Sequence, residues 1–129
     1  MDNMNVDELL AKNAALKQSV ITMTVEAWRL CSVLDRLLLS VDVKESQRYQ
    51  SKIRWFLKKA MEALTTAGLH VSDYSGQPYD PGIPATPINL EDFESTDDLV
   101  VVHMLEPVIL DENGNVVKTG TLLLEKRNK

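Results

Sequence analysis

The chain has 129 residues, a formal net charge of −5, 44% hydrophobic and 26% charged residues, and only 5% aromatic residues. That is enough for one or two small globular domains with a mainly aliphatic core. The acidic balance, without any long Lys/Arg cluster, argues against nucleic acid as a partner, no apolar run reaches bilayer-spanning length, and the lone Cys31 excludes an internal disulfide framework. The acidic start lacks the basic-then-apolar order of a signal peptide, so the expected setting is the reducing cytoplasm, away from membranes. The basic tail Lys126-Arg127-Asn128-Lys129 is too short to change that balance.

All five glycines and all five prolines lie after Ala67. Chain breakers are thus absent from one half and frequent in the other, which places a boundary near Gly68. Residues 1–68 read as helical and residues 69–129 as a small all-β domain, joined through a proline-rich connector over 76–87.

From Leu9, steps of alternately four and three residues give Leu9, Asn13, Leu16, Val20, Met23, Ala27, Leu30, Leu34, Leu37 and Val41. All but Asn13 are apolar, so the spacing predicts one long helix with a heptad stripe. Asn5 to Glu8 has the spacing of a capping box at its start. Helical from about Val6 to Val41, it would be about 54 Å long. A lone helix of that length cannot bury its stripe, so a second copy of the chain is the expected partner. Leu9, Asn13, Leu16, Val20, Met23, Leu30, Leu34 and Leu37 are then the expected dimer contacts, with Asn13 setting register.

Beyond Val20 the apolar surface widens to include Ile21, Val25, Trp28, Cys31, Val33, Leu38 and Leu39, as in a helix inside a larger bundle. A second helix supplies the missing neighbour. Asp42 and Glu45 have capping-box spacing, and Ile53, Phe56, Leu57, Ala60, Leu64 and Ala67 form a stripe that stops at Gly68. Two chains giving two helices each make a four-helix bundle with a coiled-coil stalk at one end.

The second half reads as strands at Leu69–Val71, Leu99–Leu105, Val108–Leu110, Val116–Val117 and Thr121–Leu124. Asn113-Gly114 predicts a hairpin closed by a two-residue type I′ turn. The prolines Pro78, Pro81, Pro84 and Pro87 recur every third residue. That period suits either a polyproline II ligand or a stiff connector. With no flanking Arg or Lys and structure on both sides, it reads as a connector.

Chemistry is sparse. His70 and His103 have no Cys or second His at ligand spacing, so both are read as structural or surface residues and no metal is expected. Cys31 reads as a small buried residue rather than a nucleophile. There is no phosphate-cradling glycine loop. "DENGN" (Asp111–Asn115) lacks the remaining ligands of a calcium loop, and the acidic "NLEDFESTDD" (Asn89–Asp98) reads as a solvated loop. Without a nucleophile beside an acid–base pair, no enzyme and no cofactor is expected.

Four stretches together resemble one family: "SVLDRLLL" (Ser32–Leu39), "AMEALTTAGLHV" (Ala60–Val71), "GQPYDPGIP" (Gly76–Pro84) and "VILDENGNVVKTGTLLLEK" (Val108–Lys126). Their order and spacing are similar to those of GrpE, the nucleotide exchange factor of DnaK-type chaperone ATPases, over about Val25 to Lys126. The resemblance implies a homodimer built on a long paired helix, a four-helix bundle and one β-domain per subunit. It also implies binding to the ATPase domain of a DnaK-type chaperone and promotion of ADP release. On matching positions, Arg36 would reach the ATPase, Tyr79 and Pro81 would touch its mobile lobe, and Leu124 would add an apolar contact; Asn115 and Lys118 of the closing hairpin are also expected at the partner surface. The chain departs from the family's pattern at Asn115 (commonly Arg), at Glu106-Pro107-Val108 (Lys-Gly-Tyr), at Pro84 (His), at Lys52 (Gly) and at Leu39 (a charged residue). These changes weaken the basic edge of the β-domain. They leave open a second reading, a dimeric coiled-coil adaptor that presents its β-domains without exchange activity.

Overall fold

The computed structural model describes residues 5–127; residues 1–4 at the start of the expected stalk, and Asn128 and Lys129 of the basic tail, lie outside them. The fold is α+β. Two helices, α1 (Val6–Leu38) and α2 (Val43–Thr66), precede six strands: β1 (Leu69–Ser72), β2 (Ala85–Pro87), β3 (Leu99–Glu106), β4 (Val108–Asp111), β5 (Val116–Lys118) and β6 (Gly120–Lys126).

Helix α1 begins where Asn5 accepts a hydrogen bond from the Glu8 N–H at 2.8 Å, satisfying one of the amide groups a helix start leaves free. It runs 33 residues, about 50 Å. The helix stops at Leu38, three residues short of the length that the apolar spacing predicts. Leu39, Ser40 and Val41 close it through bonds to carbonyls three residues back. Asp42 then takes an extended conformation and accepts from the Lys44 N–H at 2.8 Å. A residue cannot continue one helix and cap the next, and here the cap wins. The bond goes to the second residue of α2, not the third that a full capping box requires. Helix α2 ends at Thr66, and Gly68, just past the Ala67 cap, has a φ of 79° that only glycine adopts cheaply.

The strands form two three-stranded sheets. One has the order β1-β4-β5 and is antiparallel; the other has the order β2-β6-β3, with β2 parallel to β6 and β3 antiparallel to it. The predicted hairpin is present, but its turn is not type I′. That turn needs positive φ at both central residues, and only Gly114 has it, at 83°. Instead Gly114 N–H bonds the Asp111 carbonyl at 3.1 Å, Asp111 N–H bonds the Asn115 carbonyl at 2.9 Å, and the register shifts beside Leu110. This is the longer loop in which a right-handed turn is followed by a left-handed glycine.

Strand β2 lies inside the proline-rich connector. Upstream of it, Gly76 and Tyr79 donate to the Val101 and Leu99 carbonyls of β3, and Val101 donates to the Gln77 carbonyl. Most of the connector is therefore part of the sheet and covers the edge of β3, which would otherwise be open to further pairing.

Two apolar clusters hold the elements together. Leu99, Val101, Met104, Val108, Leu122 and Leu124 form the centre of the β region, with Trp28 of α1 packed against it. Ile21 and Val25 of α1, Leu64 of α2, Leu69 of β1 and Ile109 of β4 form the second. The second cluster draws on both helices and on the sheet, so the strands are packed on the helices rather than tethered to them.

Candidate functional site

Helix α1 presents three faces, and the side chains on each follow from its 100° per residue. Ile21, Val25, Trp28 and Ser32 face the sheets. Trp28 donates its indole N–H to the Met104 carbonyl at 2.7 Å, and Ser32 Oγ lies 3.1 Å from His103 Nε2. Thr24, Cys31 and Leu38 are buried on a second face. Burial, with the nearby Asp35 charge, pushes the Cys31 thiol above its ordinary pKa, so it stays protonated and unreactive at neutral pH.

The third face is open. Leu9, Leu16, Met23, Leu30 and Leu37, seven residues apart, are each 53–71% exposed. The interleaved residues Val20, Ala27 and Leu34 are half-buried, and Asn13 is exposed with its neighbours on the first three turns. Beside the row, Val20, Met23 and Ala27 of α1 and Phe56, Ala60 and Ala63 of α2 line a shallow apolar trough of about 340 Å³. A second pocket of about 420 Å³ lies at the hairpin end, between Leu34, Leu37 and Val41 on one side and Tyr49 and Ile53 on the other.

The six positions implied as partner contacts fall in different places. Arg36 is exposed on α1 and makes no ion pair among the described residues. Pro81 is exposed, while Tyr79 is half-buried against the β-region core. Asn115 is exposed in the hairpin turn, but its main chain is engaged there: its N–H donates to Asp111 Oδ1 at 2.9 Å and its carbonyl accepts from Asp111. Lys118 bonds the Thr119 carbonyl at 3.0 Å. Leu124 sits apart from the other five. It is 2% exposed, inside the β-region core, and Asn89 clamps its main chain at both N–H and carbonyl. An apolar residue at that register of β6 points inward with Leu122, so its side chain is spent in the core.

These residues do not form one patch. The hairpin turn lies beside Lys17 of α1, with which Asp111 and Asn113 line a small cleft. Arg36 is nineteen residues further along the same helix, about 28 Å away along its axis. A single partner touching both must span that distance.

Around Arg36 lies a groove of about 660 Å³, walled by α1, α2 and the outer face of the β2-β6-β3 sheet. Ser32 and His103 meet at its edge. Among the described residues no carboxylate hydrogen-bonds the other imidazole nitrogen, so the pair lacks the third group that orients a catalytic histidine. Here it works as a strut between helix and sheet. Ser32, His103 and Arg54 come together only through the tertiary fold, and no local spacing in the sequence announces them. Among the described residues no cluster of three metal-ligating side chains occurs, and no helix is long and apolar enough to cross a membrane.

The chain matches no protein-family model, no curated protein and no solved structure.

Proposed function

We propose that the chain is a GrpE-like nucleotide exchange factor: a homodimer, paired along α1, that binds the ATPase domain of a DnaK-type chaperone and promotes ADP release. The resemblance of its four sequence stretches supplies the activity. The observation that carries the reading is the row Leu9, Leu16, Met23, Leu30 and Leu37, apolar at strict seven-residue spacing and exposed along the whole helix. A soluble chain does not leave so long an apolar row to water without a use for it, and heptad spacing suits a second helix. Pairing two α1–α2 hairpins over the trough beside Phe56 would bury it in a four-helix bundle.

No covalent chemistry is involved. The factor binds the open, nucleotide-poor ATPase more tightly than the closed form, and that difference in affinity shifts the population. The β region would press on the mobile lobe through Tyr79 and Pro81, with Arg36 holding the other lobe. The test is release of a fluorescent ADP from the cognate DnaK-type ATPase, followed by stopped flow with and without the purified chain. A rise of tenfold or more is expected; an unchanged rate with every cognate ATPase overturns the reading.

A dimeric adaptor without exchange activity is the second reading. It is favoured by Leu124, buried in the core, and by Asn115, whose main chain is spent within its own turn. Tight binding to the ATPase or another partner with no change in ADP release would select it.

A further inference from the structure

We infer that the groove between α1, α2 and the β2-β6-β3 sheet is a docking site for a peptide segment that carries aliphatic side chains flanked by carboxylates. The inference goes beyond nucleotide exchange and shares one residue, Arg36, with the ATPase contact proposed above.

The floor and the rim of the groove have different chemistry. Leu39, Ile88, Leu105 and Leu123 line it with aliphatic surface, and Ile88 and Leu39 are 55% and 82% exposed. Arg36 reaches it from α1 and Arg54 from α2. Elsewhere on these helices arginines are neutralised: Arg29 lies 3.2 Å from Glu26 and 3.9 Å from Glu106, and Arg48 lies 3.7 Å from Glu45. Neither Arg36 nor Arg54 has a carboxylate within ion-pair distance among the described residues. Asp35 is the single acid lining the groove. On a chain of net charge −5, this is a locally basic site.

Guanidinium groups match carboxylates in planar, two-point geometry and are weakly hydrated, so they serve at partly buried contacts. An aliphatic floor favours branched or straight apolar side chains. One ligand meets both requirements if it places an apolar residue between two acids. A volume of about 660 Å³ falls within the range of ~300–1,000 Å³ typical of ligand sites. Of the α1 residues that line the groove, Ser32 and Asp35 lie about 140–160° round the helix from Leu30 and Leu37 of the exposed heptad row, and Arg36 lies about 100–120° from them.

The experiment uses the full chain labelled with ¹³C at its methyl groups and ¹⁵N at its arginine Nε. Three short synthetic peptides are titrated in: acidic-aliphatic (Asp-Leu-Leu-Glu), basic-aliphatic (Lys-Leu-Leu-Lys) and acidic-polar (Asp-Ser-Ser-Glu). Octanoate serves as a small amphiphilic anion. The acidic-aliphatic peptide is expected to shift Leu105, Leu123, Ile88, Arg36 and Arg54 signals together. Arg36→Gln with Arg54→Gln is expected to weaken that binding tenfold or more, while Arg48→Gln leaves it unchanged, with circular dichroism confirming that all three chains fold. Absence of groove shifts at millimolar acidic-aliphatic peptide overturns the inference. So do equal binding of the basic peptide, binding by octanoate alone, or a double variant that binds like the parent. ADP release is measured separately, so failure of the groove and failure of the exchange reading are told apart.

Discussion

Trp28 joins helix to sheet at a single atom pair. Its indole N–H reaches the carbonyl of Met104, whose side chain is fully buried. Trp28→Phe keeps most of the apolar contact and removes the donor. A loss of about 1 kcal/mol is expected, since the carbonyl is left with one partner fewer in a place water reaches poorly. In urea unfolding the midpoint should fall while the slope stays the same. A second residue-scale effect depends on pH. Asp111 accepts from the N–H groups of Asn113 and Asn115 at 2.9 Å each, and these bonds, that from Asn115 foremost, hold its carboxyl below the usual range. A carboxyl depressed in the folded state stabilises the fold above its unfolded value and loses that contribution as pH falls through the folded one. The difference in melting temperature between the parent and Asp111→Ala should therefore be full at pH 6 and narrow below about pH 4. A difference constant from pH 6 to pH 2.5 would show that the charge contributes nothing.

At the scale of elements, local chemistry made the helices and most strands readable. Asn5, Asp42 and Gly68 each sit at a helix end for a reason visible in one or two residues: a side-chain oxygen that reaches an amide, or a backbone free to take positive φ. The hairpin was equally legible, but its turn was not. Asn113-Gly114 permits type I′, and the Asp111 carboxylate, by binding the amides of Asn113 and Asn115, favours the longer loop instead. Strand β2 was hidden for another reason. Ala85–Pro87 is three residues long, lies among prolines and pairs in parallel with a strand some 35 residues away. Nothing local marks such a strand; only β6 does. The burial of Leu124 was hidden for the same reason, because the side of the sheet it faces depends on the β3 and β6 register, which is irregular beside Val101 and Met104. The groove at Arg36 and Arg54 joins two helices and a sheet, and no spacing rule connects those residues.

For the whole molecule, the proposed dimer rests on the open face of α1. Leu16→Glu with Leu30→Glu places charge at two heptad-row positions that are 67% and 54% exposed, outside both apolar clusters of the chain. Light scattering should give a dimer for the parent at micromolar concentration and a monomer for the variant, a loss of dimer affinity of about a hundredfold or more. The residues of the first three turns of α1 are all exposed, and helices that short are marginal in water, so helical signal should fall with dissociation. A parent that is monomeric at that concentration would remove the bundle from the proposal.

The place of β6 in its sheet, between β2 and β3, also orders events at the ribosome. The two helices contact each other through neighbouring sequence and can pair early, since local contacts cost little loop entropy. Strands β2 and β3 cannot join until Gly120–Lys126 has emerged, because that segment lies between them. A nascent chain stalled before Gly120 therefore displays Leu99, Val101 and Met104 without their cover, a state prone to stick to its neighbours. The last strand made in this region is the one that closes it.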